Sequence, residues 1–278
     1  MGTRGTYGIR KNGVDKLTYN HYDSYPDYLG RQIAEFLTTF GVDDLHRFYD
    51  NIIFVEESSE PTAEQIAYCK ENGFCDFSVS GRDEKDWYCL VRNLQGNFDK
   101  YGELINDNKK VYMTNHNNFI KNSLWCEYGY IINLDEETLE FYEGYQNTPQ
   151  SGNRYGTDRT QDGYYPCKLV FEIPLNEIDD VDKIVKMMEY GEDYEDIISA
   201  MENNPDYDLD RDEAVELGDR KIYSMFKDID EAAESEARSL GLLTDENERY
   251  FDLGLYGKDL LEGCGWFELS TGRVVFCE

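Results

Sequence analysis

The fold class is decided by one stretch of sequence, Cys126-Glu127-Tyr128-Gly129-Tyr130-Ile131-Ile132-Asn133-Leu134, Asp135-Glu136-Glu137-Thr138 and Leu139-Glu140-Phe141-Tyr142-Glu143-Gly144. Aromatic and β-branched residues fill the two outer segments, a composition that strands favour. The acidic segment 135–138 between them is typical of a turn. The stretch therefore predicts a β-hairpin.

Two further hairpins are predicted at the ends of the sequence. Residues 3–10 and 14–22 flank Asn12-Gly13, the dipeptide favoured in two-residue hairpin turns. Residues 265–269 and 273–276 flank a Ser-Thr-Gly turn, and residues 164–175 predict one more strand. Together these segments predict an α+β fold with a mostly antiparallel sheet.

Helical periodicity fills much of the remaining sequence. Leu29, Ile33, Phe36, Leu37 and Phe40 recur at helical spacing, and we expect such helices to cover one face of the sheet. Residues 106–122 are rich in Asn and Lys and predict a loop with a short helical turn. From residue 176 to 262 the pattern predicts amphipathic helices rich in carboxylates, the third over residues 211–240. Because hairpins bracket residues 176–262, we expect an acidic helical insertion within a single domain, 1–278.

The charge balance is the most extreme feature of the composition. The chain has 58 Asp and Glu against 27 Lys and Arg, a formal net charge of −31. Such a field repels nucleic acid and anionic membranes and attracts basic surfaces. We therefore expect no direct nucleic-acid binding. An acidic surface that only keeps the protein soluble is the competing interpretation.

Cysteine and histidine usage predicts neither a metal site nor a disulfide framework. The seven cysteines include no CxxC pair, and only three histidines are present. We read most of the cysteines as reduced, buried small residues. Residues 1–20 lack the apolar stretch of a signal peptide, and no run of 18 apolar residues occurs. We expect no membrane span, no cofactor and a cytoplasmic location, and the sequence does not predict an oligomeric state.

The segment Tyr19-Asn20-His21-Tyr22-Asp23-Ser24-Tyr25-Pro26 clusters polar and aromatic residues where the second strand ends. One interpretation is structural, with Asp23 capping the next helix and the tyrosines packing the hairpin. The other is a polar pocket in which Asp23 and His21 contact a ligand or act as acid and base. The candidate pocket residues are Thr3, Arg4, Tyr19, His21, Asp23 and Tyr25.

Alternating carboxylates mark a candidate interaction surface, formed by Asp206, Asp208, Asp210, Asp212, Glu213 and Glu216. The pattern is similar to the opening of a calcium loop, but an EF-hand needs Gly at its sixth position and Glu at its twelfth. Arg211 and Leu217 occupy those positions. An acidic helix entry is the better interpretation, because carboxylates are favoured near a helix N-terminus.

The opening Gly2-Thr3-Arg4-Gly5, Tyr7-Gly8, Arg10-Lys11-Asn12-Gly13 and residues 19–26 resemble a group of hypothetical proteins of bacteriophages and prophages. The hairpin 126–144 resembles the same group. The resemblance covers about the first 175 residues and is specific in the first 30. It implies a phage or mobile-element origin and action inside a bacterial host cell.

A second resemblance concerns the fold. A strand, a hairpin turn and a return strand ending in Asn- and Asp-rich sequence look like the start of N-terminal-nucleophile hydrolases. Those enzymes expose a Cys, Ser or Thr whose own α-amine acts as the base. Removal of Met1 would expose Gly2, which has no side chain. This resemblance therefore implies an active enzyme only if cleavage exposes Thr3, and otherwise a pseudo-hydrolase.

The sequence favours a binding protein over an enzyme, since the GxSxG, GxxxxGKS/T and HExxH motifs are absent. The leading hypothesis is an acidic protein that inhibits or occupies a basic host protein, as a counter-defence factor or nucleic-acid mimic would. The alternatives are the hydrolase or pseudo-hydrolase and a structural component of the virion.

Overall fold

A computed structural model of the chain describes residues 2–78, 83–191, 193–203, 213–215, 222–263 and 265–277. The chain divides into two compact units, Met1–Glu189 and Tyr190–Glu278, each described here by itself. The division lies inside the segment 176–262, which was expected to be an insertion. The single domain with an insertion stays a prediction.

The first unit contains a five-stranded sheet in the order β2-β1-β5-β6-β7. Its strands are β1 Gly5–Lys11, β2 Val14–Asn20, β5 Tyr128–Asn133, β6 Thr138–Glu143 and β7 Lys168–Pro174. All neighbours pair antiparallel except β1 and β5, which are parallel. The predicted α+β class with a mostly antiparallel sheet is confirmed. The parallel pair was not predicted.

Six α-helices belong to the described part of the first unit. They are α1 Arg31–Thr39, α2 Val42–Asn51, α3 Ala63–Glu71, α4 Trp87–Leu90, α5 Phe98–Asn106 and α6 Val181–Tyr190, whose last residue belongs to the second unit. A short π-helical turn, Pro26–Gly30, leads into α1. Helix α4 has only four residues and is followed by turns over residues 91–96.

The helices cover one face of the sheet, as expected. Tyr7, Ile9, Tyr130, Ile132 and Phe141 alternate along their strands and pack against apolar residues of α1, α2 and α5. Side chains of this size bury the largest apolar area, so this layer is the main hydrophobic core.

The opposite face of the sheet is covered by connecting segments. A second hydrophobic cluster lies there, in which Leu17, Ile131 and Tyr142 of the sheet pack against Tyr155 and Cys167. These partners come from the long connection between β6 and β7, and from the end of that connection. The first hairpin turn is held to the second, because Asp135 accepts hydrogen bonds from the backbone N–H groups of Asn12 (2.5 Å) and Gly13 (2.8 Å).

Residues 106–122 contain the predicted short helical turn, Phe119–Lys121, but they are not otherwise a simple loop. They contain β4, Val111–Thr114, which pairs parallel with β3, Ile52–Val55. All four residues of β4 are buried. A strand this short, among Asn and Lys residues, gives a weak local signal, and its long-range pairing with β3 stabilises it.

The second unit holds a separate three-stranded sheet in the order β8-β10-β9. Its elements are α7 Asp193–Glu202, β8 Ile222–Phe226, α8 Ile229–Ser239, α9 Leu253–Leu261, β9 Trp266–Glu268 and β10 Val274–Cys277. Two expectations are wrong here. The C-terminal hairpin does not join the main sheet, and β8 lies inside the region predicted as helix over 211–240. Carboxylates dominate the sequence of that region, so the short apolar strand gives only a weak pattern.

The described cysteines match the prediction. Cys69, Cys89, Cys126 and Cys167 are buried thiols that form no disulfide, and Cys75 is a half-buried thiol that forms none either. Burial raises the pKa of the Cys69 thiol to about 12 and that of Cys75 to about 11, so both favour the thiol form.

Candidate functional site

A cleft of about 270 Å³ opens where β2 ends. Five of its nine lining residues carry rings, and one carboxylate and one amide lie among them. The lining residues are Tyr19, His21, Glu57, Tyr88, Val91, Gln95, Thr114, His116 and Phe119. They come from β2 and the segment after it, the segment after β3, the region of α4, and β4 with the turn that follows it. The cleft therefore depends on tertiary packing.

Three ring contacts in the cleft are nearly perpendicular, whereas the contact between Tyr19 and His116 is tilted at 54° with centroids 6.0 Å apart. Tyr19 meets His21 at 78° with ring centroids 4.5 Å apart, and Phe119 at 73° and 4.8 Å. His21 in turn meets Tyr88 at 81° and 5.0 Å. Edge-to-face contacts of this kind are favoured between aromatic rings, so the walls are held in one arrangement.

His116 is held both by its backbone and by its imidazole. Its backbone N–H donates to the carbonyl of Leu17 (2.9 Å), and its Nε2 lies 3.1 Å from Oε2 of Glu57. Because a carboxylate only accepts hydrogen bonds, Nε2 carries the proton in this pair. Nδ1 is buried, and within the described residues it has no hydrogen-bond partner. The pair fixes the orientation of both side chains.

A cation lies beside the cleft. The guanidinium of Arg92 is 4.9 Å from the ring centroid of Tyr88, and its Nη1 donates to Oε1 of Gln95 (3.0 Å). Burial raises the pKa of Tyr19, an effect that the charges of Arg4 and Arg92 oppose. Tyr19 therefore stays a neutral hydroxyl at neutral pH.

A second polar cluster lies where the long β6–β7 connection crosses the sheet. Glu140 on β6 is buried, and both of its oxygens accept from the guanidinium of Arg154. Asn133 and Tyr142 also donate to Glu140, at 2.6 and 3.0 Å. Burial is the first cause that raises the pKa of Tyr142, and the Glu140 charge is the second. Burial lowers the pKa of Arg154, but the hydrogen bond to Glu140 and the interactions with Tyr155 and Tyr142 together raise it above its ordinary value.

The structure brings only two of the predicted pocket residues, Tyr19 and His21, into the cleft. The carbonyl of Thr3 accepts from the N–H of Ser24 at 3.2 Å. Arg4 lies over the ring of Trp125, 4.5 Å from its centroid.

Asp23 and Tyr25 have other positions. Asp23 has a φ of +54°, in the left-handed region, and is half-buried. The helical turn that follows has Tyr25, not Asp23, at its N-cap, without a side-chain hydrogen bond. Tyr25 itself is exposed and contacts Tyr28.

The candidate interaction surface falls mostly on residues that are not described. Asp206, Asp208, Asp210, Asp212 and Glu216 lie outside the described residues, and Glu213 is exposed in a short helical segment. Sequence reasoning missed Glu57, Tyr88 and His116 in the cleft and the Glu140–Arg154 pair. The chain has only three histidines, and this scarcity could have drawn attention to His116. No local pattern joins residues so far apart.

No protein-family model, curated protein or solved structure matches the chain at a significant level. Within the described ranges, no helix is long and apolar enough to cross a membrane. The same ranges hold no group of three or more His, Cys, Asp or Glu placed to bind a metal ion.

Proposed function

We propose that this protein is an acidic binding protein that occupies a basic protein of a bacterial host. The distribution of charge carries the proposal. Residues 190–278 contain 25 acidic against 8 basic residues, whereas residues 1–189 contain 33 against 19. The second unit thus holds more than half of the net charge on about a third of the chain.

Helix α8 illustrates how that charge is presented. Ala232, Ala233 and Ala237 are buried, whereas Asp230 and Glu231 are exposed. The small side chains on the inner face leave the carboxylates on the outer face, as in an amphipathic surface helix.

Arg238 on α8 shows how carboxylates of the second unit surround a guanidinium. Its Nε lies 2.8 Å from Glu234, and its two terminal nitrogens lie 3.4 Å from Asp245 and 3.5 Å from Glu248. Three carboxylates share one cation, so negative charge remains in excess there. The hydrogen bond to Glu234 is the main cause that raises the pKa of Arg238.

Carboxylates in series can take the place of phosphates, because Arg and Lys pair with both. A protein that normally binds nucleic acid is therefore the class of basic partner that fits best, and counter-defence is the biological setting that follows from the phage resemblance. Association should be fast at low salt and weaken as salt rises. Capture of a basic partner by the full chain at low and high salt tests the proposal.

A further inference from the structure

A groove of about 650 Å³ lies between α1 and α5 in the first unit. On α5 its lining residues are spaced by one helical turn, at Phe98, Gly102 and Asn106, so one stripe of that helix faces the groove. The opposite wall comes from α1, from the turn before it and from Phe40 directly after it. A groove between two helices is a form of surface that a third helix can occupy.

Aromatic rings form the floor of this groove. Phe36 lies at 45° to Phe40 with ring centroids 4.9 Å apart, and at 69° to Phe98 with centroids 5.3 Å apart. Phe36 and Phe98 are buried, whereas Phe40 is half-buried and Tyr28 is 46% exposed. Gly102 leaves room for Phe40, since a Cβ there would lie 3.2 Å from two carbons of its ring. Phe40 and Tyr28 therefore offer apolar surface to a partner.

The two cations of the stretches that form the groove are held by carboxylates. Residues 27–40 and 98–106 contain only Arg31 and Lys100 as Lys or Arg. Nε of Arg31 lies 2.9 Å from Asp27, and its Nη1 lies 2.6 Å from Asp182. Nζ of Lys100 lies 2.6 Å from Glu103. Lys100 is therefore balanced by one carboxylate, and Arg31 is shared by two.

Carboxylates remain in excess once these pairs are counted. Glu35 on α1 and Asp99 on α5 line the groove, are exposed, and form no ion pair within the part of the chain that the structure describes. With Asp27, Asp182 and Glu103, five carboxylates lie near two cations. The groove therefore attracts a cationic partner and repels an anionic one.

An amphipathic helix with basic flanks matches both the apolar floor and the negative rim. Its apolar stripe would cover Phe40 and Tyr28, as helices do when they bind a hydrophobic groove. Lys or Arg residues beside the stripe would pair with Glu35 on one wall and Asp99 on the other. The aliphatic stems of those residues would cover further apolar surface.

We propose that the groove between α1 and α5 binds a basic amphipathic helix of a partner protein. The groove is formed by the first unit alone and does not rest on the proposed role of the acidic second unit. Either surface can therefore bind its partner when the other does not.

Fluorescence anisotropy of two labelled peptides, titrated with the full chain at about 150 mM salt, tests the proposal. The first peptide is Ac-KLAKLAKKLAKLAK-NH2, whose leucines form one stripe when it is helical. The second has the same composition in an order that forms no stripe. Because both peptides have the same charge, a surface that is merely acidic binds them equally. We expect the amphipathic peptide to bind at least about tenfold more tightly, and equal binding would overturn the proposal.

Two variants remove apolar surface from the floor without changing the charge. Tyr28→Ala and Phe40→Ala should each reduce the preference for the amphipathic peptide by about threefold or more. Tyr250→Ala is the matched control, since Tyr250 is a 77% exposed ring of the second unit, and it should leave the preference unchanged. Circular dichroism checks that each variant folds, and Tyr28 is already exposed, so its replacement tests the groove even where Phe40→Ala is unstable. A full preference in the folded Tyr28→Ala variant would contradict the assignment.

A pair of double variants tests the rim. Glu35→Gln with Asp99→Asn removes the two carboxylates that have no ion pair, and it should weaken binding of the amphipathic peptide by about threefold to tenfold. Glu64→Gln with Glu71→Gln removes two exposed carboxylates of α3 and changes the net charge equally, but it should leave binding nearly unchanged. Equal losses in the two double variants would show that the peptide responds only to net charge, and would reject the groove as its site.

Discussion

Arg154 holds the buried carboxylate of Glu140 with two of its guanidinium nitrogens, so that the β6–β7 connection is tied to strand β6. The side chain of Glu140 is 2% exposed, and that of Arg154 is 27% exposed. The pair joins one strand to a segment 14 residues away. Its partners Asn133 and Tyr142 satisfy the remaining acceptor sites of the carboxylate.

Replacement of Arg154 by Met should lower the free energy of unfolding by about 3–5 kcal/mol, because the carboxylate of Glu140 is left buried without its counter-charge. Urea unfolding followed by near-ultraviolet circular dichroism measures the change. Arg47→Met is the control, since Arg47 pairs with Asp44 at the surface and should contribute less than about 1 kcal/mol. Equal losses in the two variants would show that the buried pair has no special role.

The buried hydroxyl of Tyr7 should make the free energy of unfolding depend on pH in the alkaline range. It contacts the hydroxyl of Tyr101 at 2.7 Å and accepts from the N–H of Gly96 at 2.8 Å. Burial raises the pKa of Tyr7 to about 12, against about 10 for an unfolded tyrosine. The unfolded state therefore loses this proton first, so the contribution is present below about pH 10 and declines as pH rises toward 12.

Tyr7→Phe should lower the free energy of unfolding by about 1–3 kcal/mol at neutral pH, because Gly96 and Tyr101 lose a buried partner. The deficit should narrow above about pH 10, since the variant lacks this titration. Urea midpoints measured over that range check both statements. Tyr250→Phe, at a 77% exposed position, is the control, and a deficit that stays constant with pH would refute the assignment.

Gly144 ends the hairpin where the chain passes close to a neighbouring segment. A Cβ at this position would lie 2.2 Å from the carbonyl oxygen of Cys126 and 2.9 Å from that of Ser123. Gly144→Ala should therefore destabilise the protein by about 1–3 kcal/mol or more. Gly254→Ala, in the first turn of α9 where the nearest atom would be 3.7 Å away, should leave the thermal midpoint unchanged or raise it slightly, because Ala favours a helix over Gly. A similar midpoint for both variants would be inconsistent with the backbone contact.

Local patterns in the sequence predicted the parts of the fold that form between near neighbours. The Asn12-Gly13 turn has positive φ at both residues, as its dipeptide predicts, and the hairpin 126–144 pairs β5 with β6. Glu140 was different: by alternation it reads as an ordinary polar position. It is buried because Arg154 covers it, and no local pattern reports that contact.

Local sequence patterns likewise predicted only part of the cleft. Tyr19 and His21 lie in one unusual segment, so sequence reasoning could select them. Glu57 and His116 are separated by 59 residues, and they meet because β3 and β4 pair in parallel. Because residues 106–122 are rich in Asn and Lys, β4 was not predicted, and neither was the wall of the cleft to which it contributes.

Two variants of the full chain with the same net charge test most directly whether the second unit binds a basic partner. In the first, the carboxylates of the candidate interaction surface become amides, at Asp206, Asp208, Asp210, Asp212, Glu213 and Glu216. In the second, six exposed carboxylates of the first unit become amides, at Glu35, Glu64, Glu71, Asp99, Glu136 and Glu177.

Each protein is immobilised and exposed to a bacterial lysate at about 50 mM and about 500 mM salt, and the retained proteins are identified by mass spectrometry. We expect the unmodified chain and the first-unit variant to retain the same basic protein at low salt and to release it at high salt. The variant at 206–216 should retain far less of it. Retention of no basic protein at low salt, or an equal loss in both variants, would contradict the claim that the second unit binds a basic partner.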